Sequence, residues 1–410
     1  MSKVFRDRTL LTSANEPLVS IIIDNFNYGR FLAEAINSAL AQRYPRTEVI
    51  VVDDGSTDNS HQIIASYGST IHTVFKQNGG QASALNAGFR ASRGDVILFL
   101  DADDILFPDA VSNVVPHLRT DRVSKVHWPM WLIDSQGQRT GGTRPSEAPP
   151  AGDFKRQVLE RGPSNVASSP TSGNAWRRSL LERIMPIPED LRYYRSCADE
   201  YLYLLAPVFG QVRTLAEPQG CYRIHSNNIY SSRPFREKLS MELDGYDEQC
   251  LALANTLARN GIRADVSAWK GHSWFHRLDR ALGIVLVTVP PDKEFVLIDG
   301  GTWGLGDNLD GRIVHPFFER GGVDWGAPAD DAQALEQLHA LEEKGTQFLV
   351  IAWSSFWWFD EYPRFFVCLK QTAECLHRDE AAIIFNLQTK PDAVCQSSAR
   401  QLVDEGRRDA

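Results

Sequence analysis

Two carboxylates follow an apolar run in a placement suited to a divalent cation. Asp101 and Asp103 come directly after Val96 to Leu100, which we predict as a strand. Ligands of parallel α/β sheets gather outside the carboxyl ends of strands, and hard divalent ions take oxygen from carboxylates, phosphate and water. Asp-x-Asp also arises by chance and then forms a turn or a helix cap. The triplet therefore indicates a metal-diphosphate site only together with other signals.

A second apolar run, Val49 to Val52, also leads into carboxylates, Asp53 and Asp54. The Gly-Ser turn that follows them can be a simple helix N-cap. In a nucleotide site, Asp54 would accept from the N–H of a base, and Asp53 would be structural. The first strand likewise ends in a polar loop, where Phe26 can face a nucleobase beside Asp24 and Asn27.

Acidic and basic residues recur further along the chain. Asp199 and Glu200 head a predicted helix, Asp199 to Phe209, and His225 follows a short predicted strand, Gly220 to Ile224. Alone, the two acids could simply complement a helix dipole, and His225 could be an ordinary hydrogen-bonded histidine. Beside the upstream carboxylates, they become candidates for proton transfer and for holding the metal or leaving group.

The elements that would position these residues alternate regularly between strand and helix. Four β-branched runs predict strands, and the segments between them repeat their apolar residues at helical spacing; the runs are Val19 to Ile23, Val49 to Val52, Ile71 to Phe75 and Val96 to Leu100. We expect an α/β fold with a mixed, mainly parallel sheet flanked by helices. Val126 to Ile133 is a further possible strand, and Gly141 to Gly152 is predicted to be a loop.

Length and spacing divide the chain further. A chain of 410 residues exceeds the size of one core. We expect an N-terminal extension (1–16), a catalytic domain (17–232), a helical linker region (233–285), a small α/β accessory domain (286–390) and a polar tail (391–410). In the accessory domain, strand Phe295 to Ile298 runs into a Gly-rich segment. That segment is faintly like a methyltransferase or dinucleotide loop, although no helix is predicted after it.

Composition excludes several classes of function. The chain carries 43 Lys and Arg against 52 Asp and Glu, a formal charge of −9, and has no basic run, so nucleic acid is not an expected partner. Six cysteines without metal-finger spacing predict reduced thiols. No signal peptide or membrane-length apolar segment is evident. We expect a cytoplasmic protein, with any membrane contact peripheral and at the inner face.

Two long blocks carry a resemblance to a known family. VSIIIDNFNYGRFLAEAINSALAQRYPRTEVIVVDDGSTD and NGGQASALNAGFRASRGDVILFLDADD resemble the inverting family-2 glycosyltransferases of the GT-A fold, densely from Leu18 to Pro108. The acidic pair at Asp199 and the YRxH segment at Tyr222 are similar to later motifs of that family. Asp24 departs from the pattern, since family members commonly carry Pro or Thr there.

The resemblance implies a nucleotide-sugar donor, a Mn²⁺ or Mg²⁺ cofactor and a role in making cell-surface polysaccharide or glycoconjugate. Its acceptor would be a glycan, a lipid-linked sugar or another hydroxyl compound. Asp54 would contact a uracil-like base, Asp101 the ribose and donor sugar, and Asp103 the metal, with His225 helping. The other donor-pocket residues would be Asp24, Phe26, Asn27, Asn78, Gly79, Gln81 and Asn86. Glu200 is the predicted general base, with Asp199 in reserve.

Two other functions compete with glycosyl transfer. A sugar nucleotidyltransferase uses the same kind of sheet, but it needs a Gly-rich, Arg-bearing phosphate loop, and loop 24–29 has one glycine. A degenerate transferase kept as an assembly partner would not need Asp101, Asp103 and the acidic pair together. Both are ranked below a transferase that uses a metal and a carboxylate base.

Overall fold

The computed structural model describes residues 16–163, 166–225, 234–306, 308–320, 323–324 and 326–389. It divides into two compact units, Met1–Ser273 and Trp274–Ala410. The predicted linker 233–285 falls on both sides of that division. The predicted tail 391–410, and the predicted extension apart from Glu16, lie outside the described residues.

Strands and helices alternate through the first unit. Its strands are β1 (Val19–Asn25), β2 (Thr47–Asp53), β3 (His72–Phe75), β4 (Val96–Asp101), β5 (Ile105–Leu106), β6 (Val123–His127), β7 (Met130–Ile133), β8 (Arg139–Arg144), β9 (Asn174–Arg177), β10 (Gln211–Thr214) and β11 (Gly220–Arg223). Its α-helices are α1 (Gly29–Leu40), α2 (Ser60–Ser66), α3 (Gln81–Ala91), α4 (Ala110–Val114), α5 (Lys155–Arg161), α6 (Arg178–Ile184), α7 (Ala198–Phe209) and α8 (Phe235–Arg259).

The main sheet of this unit is mixed and mainly parallel, as the sequence predicts. Its seven strands run in the order β10-β6-β9-β4-β1-β2-β3. Only β9 is antiparallel to its neighbours, β4 and β6. A second sheet of four strands has the order β5-β11-β7-β8. The expected fold class, an α/β unit with a mixed, mainly parallel sheet and a smaller C-terminal α/β domain, is confirmed.

Helices cover both faces of the main sheet, which explains its almost continuously apolar strands. Along β1, Ile22 packs into one core with residues of α3 and α7. Its neighbours Ile21 and Ile23 pack into a second core with residues of α1 and α4. Successive side chains of a strand point to opposite faces, so the central strands β1, β2 and β4 each contribute to two cores. Buried on both sides, these strands hold their carboxyl ends in fixed positions.

The register of the central strands brings their terminal carboxylates together. Asp24 lies directly beside Asp101 across the β1–β4 pair. Asn25 lies beside Asp53 across the β1–β2 pair. Polar side chains from three strands therefore meet at one edge of the sheet.

Two segments differ from the sequence expectation. Val126 to Ile133 forms two strands, β6 and β7, separated at Trp128 and Pro129, because proline has no N–H to donate to a sheet ladder. Part of the predicted loop Gly141 to Gly152 is a strand, since β8 extends to Arg144. It pairs with β7 as the exposed edge of the second sheet, where glycines cost little packing.

The second unit has its own sheet, with the order β13-β14-β12-β17-β19-β18. Its strands are β12 (Glu294–Ile298), β13 (Asn308–Leu309), β14 (Arg312–Pro316), β15 (Glu319–Arg320), β16 (Val323–Asp324), β17 (Phe348–Ala352), β18 (Glu374–Arg378) and β19 (Ala382–Asn386). Its α-helices are α9 (Trp274–Thr288), α10 (Asp331–Glu343), α11 (Trp358–Glu361) and α12 (Pro363–Thr372). The next element after the Gly-rich loop that follows β12 is the strand β13.

Two whole-chain expectations bear on location. Five cysteines are free thiols in the described part of the chain: Cys197, Cys221, Cys250, Cys368 and Cys375. Over the same residues, no helix combines the length and apolarity that crossing a bilayer would need.

Candidate active site

Three carboxylates converge where β4 ends. One oxygen each of Asp101, Asp103 and Asp104 lies within 4.8 Å of the others. The chain turns tightly there, with the Asp104 N–H donating to the Asp101 carbonyl at 3.1 Å. Asp104 extends the predicted triplet and is itself 1% exposed. The group has the composition of a site for a hard divalent cation.

Asp24, at the end of β1, joins Asp101, Asp103 and Asp104, and we call this group of carboxylates the acidic edge. Several of its oxygens are buried without a hydrogen-bond partner among the described residues. They are Oδ1 of Asp24, Oδ1 of Asp101 and Oδ2 of Asp104. Burial raises the pKa of Asp24 to about 7, and repulsion from Asp103 and Asp199 adds to the effect. Burial and the charge of Asp24 also hold the pKa of Asp101 well above its usual range. Orphaned, mutually repelling carboxylates fit a bound cation that would neutralise them.

His225 lies at the same edge. Its Nε2 is 2.9 Å from Oδ2 of Asp103. Its ring packs against two aromatic rings, with centroids 4.9 Å from Phe31 and 5.6 Å from Tyr28. The structure thus brings the two predicted metal-site residues together. Ser226 to Asn228, the end of the YRxH segment, lie outside the described residues.

Arg223 supports the turn that carries these carboxylates. Its backbone N–H donates to Asp104 at 3.0 Å and its Nε to the Asp103 carbonyl at 2.8 Å. Its guanidinium also pairs with Glu34 at 2.8 Å, and the residue is completely buried. Arg223 is the arginine of the YRxH segment, and its residue type alone predicts no role for it. Its position between Tyr222 and His225 was the available signal.

The loop after β1 is fixed mainly by its own polar residues. Asn27 has a φ of 60° and accepts from the Thr57 N–H at 2.7 Å. It therefore joins the first two loops of the site. Phe26 is 43% exposed at the same edge and is free to meet a planar ligand. Asp53 is fully buried and accepts from Asn25 and Ser56, the structural role that was expected.

Asp54 is engaged with the loop before α3. Its carboxylate accepts from the Gly80 N–H at 2.7 Å and the Gly79 N–H at 3.0 Å. It also forms an ion pair with Lys76. The predicted base-binding carboxylate thus holds the turn at Gly79 and Gly80, the glycine turn, in place.

The remaining donor-pocket candidates occupy different surroundings. Asn78 accepts from Arg195 at 3.3 Å near the glycine turn. Asn86 is 1% exposed, and its amide is bonded to the backbone of Ile187 in both directions at 2.8 Å. Gln81 accepts from the Ala198 N–H at 2.9 Å and donates to Thr171 at 3.4 Å. Asn86 therefore fixes a chain segment, whereas Gln81 connects α3 to the start of α7.

The two acids of α7 have separate environments. Asp199 interacts electrostatically with Asp24 and Asp101, so it belongs to the acidic edge. Burial raises the pKa of Asp199, while a hydrogen bond from Thr171 opposes the rise. A carboxylate with a raised pKa, beside the cation site, is suited to accept a proton.

Glu200 instead faces Tyr193 and α8. The Tyr193 hydroxyl lies 2.7 Å from Glu200 and 2.8 Å from Glu242. Burial raises the pKa of Glu200 well above its usual range, and repulsion from Glu242 adds to the effect. Through the Tyr193 hydroxyl, Glu200 of α7 is therefore joined to Glu242 of α8 in a buried contact.

Comparisons with known proteins show which family the chain belongs to. The model of glycosyl transferase family 2 matches residues 20–184. An uncharacterised glycosyltransferase of Nostoc sp. is 38% identical over 223 residues, which are 52% of this chain and 67% of that protein. The chain belongs to glycosyltransferase family 2. The predicted family is thereby confirmed, and the protein is a glycosyltransferase.

Other relatives align over shorter stretches of this family-2 protein. An uncharacterised glycosyltransferase of Rickettsia conorii is 39% identical over 35% of this chain and 24% of its own length. GlyG of Streptococcus pneumoniae is 37% identical over 24% of this chain and 34% of its own length. The chain thus spans only about a quarter to a third of these two relatives.

Two solved structures are similar to this chain, both at low sequence identity. One is residues 1–349 of S. aureus TarS in complex with UDP-GlcNAc, with a TM-score of 0.42, 18% identity and coverage of 67% of this chain and 82% of that one. The other is the mannosyltransferase PcManGT of Pyrobaculum calidifontis with GDP-Man and Mn²⁺, with a TM-score of 0.42, 20% identity and coverage of 67% and 76%. At these scores, neither says which donor or metal this chain uses.

Proposed function

We propose that this family-2 enzyme is an inverting transferase that moves a sugar from a nucleotide-diphosphate donor to an acceptor hydroxyl, with a divalent cation at the acidic edge. The observation that carries the proposal is the meeting of Asp24, Asp101, Asp103 and Asp199 beside orphaned buried oxygens. Family membership supports glycosyl transfer. We place its product, as the sequence suggests, in a cell-surface polysaccharide or glycoconjugate.

Asp103 and His225 are the residues we assign to the cation, with the neighbouring Asp101 and Asp104 lying within reach. All three carboxylates offer the hard oxygen ligands that Mn²⁺ and Mg²⁺ accept. When bound, the cation would neutralise charge that develops on the leaving diphosphate. Asp101 is assigned to the ribose and donor sugar. Phe26 and the glycine turn held by Asp54 are assigned to the nucleoside.

Asp199 is our choice for the general base, rather than Glu200. Asp199 shares the acidic edge with Asp24 and Asp101, whereas Glu200 is occupied with Tyr193 and Glu242. In the proposed step, the acceptor oxygen bonds to the anomeric carbon as that carbon's bond to the diphosphate oxygen breaks. The hydroxyl proton passes to an oxygen of Asp199. A single displacement inverts the configuration and needs no covalent intermediate.

Replacing each α7 acid by its amide tests this assignment. Asp199→Asn should lower turnover by about 10²- to 10⁴-fold while nucleotide-sugar binding stays close to wild type, because only proton transfer is removed. Glu200→Gln is the matched control, and it should retain most of the turnover, since Glu200 accepts the hydrogen bond of Tyr193, whose hydroxyl also lies 2.8 Å from Glu242 of α8. Initial rates with a panel of nucleotide sugars and calorimetric binding measure the two quantities.

Uridine is the first base to try in that panel, because Asp54 is the carboxylate expected to lie near a uracil N–H. The reverse outcome, in which Glu200→Gln abolishes turnover and Asp199→Asn preserves it, would move the base to Glu200. Release of pyrophosphate from a nucleoside triphosphate and a sugar phosphate would instead indicate nucleotidyl transfer.

A further inference from the structure

Arg144 is a cation of the first unit that the proposed reaction leaves without a role. It ends β8 and is half-buried, with its Cζ 5.2 Å from the centre of the Tyr222 ring. Its guanidinium forms no hydrogen bond or ion pair with any residue that the structure describes. A guanidinium can stack on an aromatic ring and still present its N–H donors to an anion. Arg144 is therefore held in place with its donors unused.

The chain around Tyr222 places this arginine near the acidic edge. Tyr222 precedes Arg223, whose backbone N–H donates to Asp104 at 3.0 Å. Burial raises the pKa of Tyr222, while the positive charge of Arg144 opposes that rise and the negative charge of Asp104 adds to it. The guanidinium and the acidic edge therefore both lie close enough to the Tyr222 hydroxyl to act on it.

A second arginine of β8, Arg139, has a different position. Opposite residues of paired strands lie on the same face of a sheet, and neighbours along a strand lie on opposite faces. Arg144 lies opposite Met130 in the β7–β8 pair. Arg139 instead stacks on Trp131, the next residue along β7, with its Cζ 4.5 Å from the ring centre. The two arginines thus lie on opposite faces of the second sheet, and it is Arg144 that shares a face with Tyr222.

The proposed reaction creates an anion that such a group could bind. When the bond between the anomeric carbon and the diphosphate oxygen breaks, the bonding electron pair stays on that oxygen. The leaving nucleoside diphosphate therefore carries one more negative charge than it had as part of the donor. Arginine binds phosphate oxygens through paired, charge-assisted hydrogen bonds, and donors already in place stabilise charge that develops during a reaction. Carboxylates cannot do this, because they repel a phosphate.

We propose that Arg144 binds the leaving diphosphate of the donor and stabilises the negative charge that develops on it. The inference rests on the proposed function, in which the donor is a nucleotide-diphosphate sugar. It gives the leaving group a second positive partner besides the cation at Asp103. Tyr222 is a positioning residue in this account, since its ring fixes the direction of the guanidinium.

Calorimetric titration of the full chain in the presence of Mn²⁺ tests the inference. Two ligands are compared: the nucleotide sugar of the panel that binds best, and its free nucleoside diphosphate, UDP or GDP. Arg144→Met removes the charge but keeps a long side chain that can pack on Tyr222. It should weaken binding of the nucleoside diphosphate about tenfold and that of the nucleotide sugar about threefold at most, because the free diphosphate carries the additional charge.

Two further variants separate charge from packing. Arg139→Met removes an equal charge from the other face of the same strand, so it should leave both affinities at wild-type values. Arg144→Lys keeps a positive charge and should retain most of the affinity for the nucleoside diphosphate. Thermal unfolding shows which variants are folded.

Each outcome bears on a different claim. If folded Arg144→Met binds the nucleoside diphosphate like the wild type, Arg144 does not contact the leaving group and the inference is wrong. If this variant loses affinity for both ligands by the same factor, Arg144 only shapes the site, which also overturns the inference. If the wild type binds neither a nucleotide sugar nor a nucleoside diphosphate, the proposed function itself fails and this inference fails with it.

Discussion

The buried carboxyl group of Asp24 lowers the stability of the folded protein at neutral pH. Its folded pKa of about 7 lies above the ordinary value of 3.8, because burial and neighbouring carboxylates disfavour its charge. The unfolded chain therefore releases this proton first, and the fold loses stability as the pH rises from about 4 to about 7. A carboxyl group that destabilises the fold has no structural purpose, so ligand binding is the better explanation for Asp24.

Replacing Asp24 by asparagine should stabilise the protein. Asp24→Asn removes the charge without changing the size, so we expect the free energy of unfolding at pH 8 to rise by ~2–4 kcal/mol. The gain should vanish as the pH falls toward 4, where the wild-type carboxyl is protonated in both states. Thermal and urea unfolding at a series of pH values measure it.

Asp58 in the same region provides a control of opposite sign. Burial would raise the pKa of Asp58, but hydrogen bonds from Ser60 and Gly29 outweigh burial and lower it. Asp58→Asn should accordingly destabilise the protein at neutral pH. Equal effects of the two substitutions at pH 8 would contradict the account of Asp24.

Single residues also show where sequence reasoning succeeds and where it stops. Asp101 and Asp103 could be placed because an apolar strand ends at them and strand ends share an edge. The roles of Asp199 and Glu200 could not be divided, because neighbours on a helix point about 100° apart and only packing shows which one faces the edge. Arg223 meets Asp104 from 119 residues away, a pairing that no local pattern contains.

The glycine turn before α3 is the element that joins the nucleotide side of the site to α7. Gly80 has a φ of 85° and a ψ of 178°, a conformation that is essentially reserved for glycine. A Cβ there would lie 2.7 Å from the Arg195 carbonyl oxygen. Asp54 holds this turn from one side and the chain before α7 closes it from the other, so the turn has no room to move.

Adding one methyl group at Gly80 should therefore disturb both stability and donor binding. Gly80→Ala combines backbone strain with a clash against backbone, and we expect a loss of more than ~2 kcal/mol of unfolding free energy. Nucleotide-sugar affinity should fall as well, because the N–H groups that Asp54 holds must shift. Chemical denaturation and calorimetry measure the two effects.

Gly68 separates the clash from the strain. It also has a positive φ, 54°, but no atom lies within 4 Å of where its Cβ would be. Gly68→Ala should cost only ~1 kcal/mol and leave donor binding unchanged. If the two alanine variants behave alike, the close approach of Arg195 to Gly80 has no importance for the site.

At the scale of elements, periodicity predicted the central strands and missed the peripheral ones. β1 and β4 are apolar on both faces, which is a strong local signal. β8 is polar and contains Gly141 and Gly142, so its composition is that of a loop. It becomes a strand only because β7 offers it an edge, and that requirement belongs to the fold rather than to the segment.

The predicted site residues and the second unit occupy different parts of the chain. All the predicted site residues lie in the first unit, Met1–Ser273, as does the match to the family model. The second unit has its own six-stranded sheet and its own apolar core. Sequence spacing indicated two domains, but it placed α8 in a linker, whereas α8 contributes Leu253 and Leu257 to the core of the first unit.

Ending the chain after Ser273 should consequently leave an active-site unit that folds. We expect residues 1–273 to unfold cooperatively and to bind nucleotide sugars with Mn²⁺ within about threefold of the full chain, since every assigned donor residue is retained. Circular dichroism and calorimetry check the two points. A folded fragment that has lost donor binding would show that the second unit takes part in the donor site.

The most direct test of the central claim is calorimetric titration of nucleotide sugars into the full chain with and without Mn²⁺. The account predicts that at least one nucleotide sugar binds, that it needs Mn²⁺, and that Asp103→Asn weakens binding by roughly 100-fold or more. Asp109→Asn, which removes a surface ion pair with Arg43, should bind like the wild type. Binding that is independent of Mn²⁺, or equal in Asp103→Asn and wild type, would contradict it.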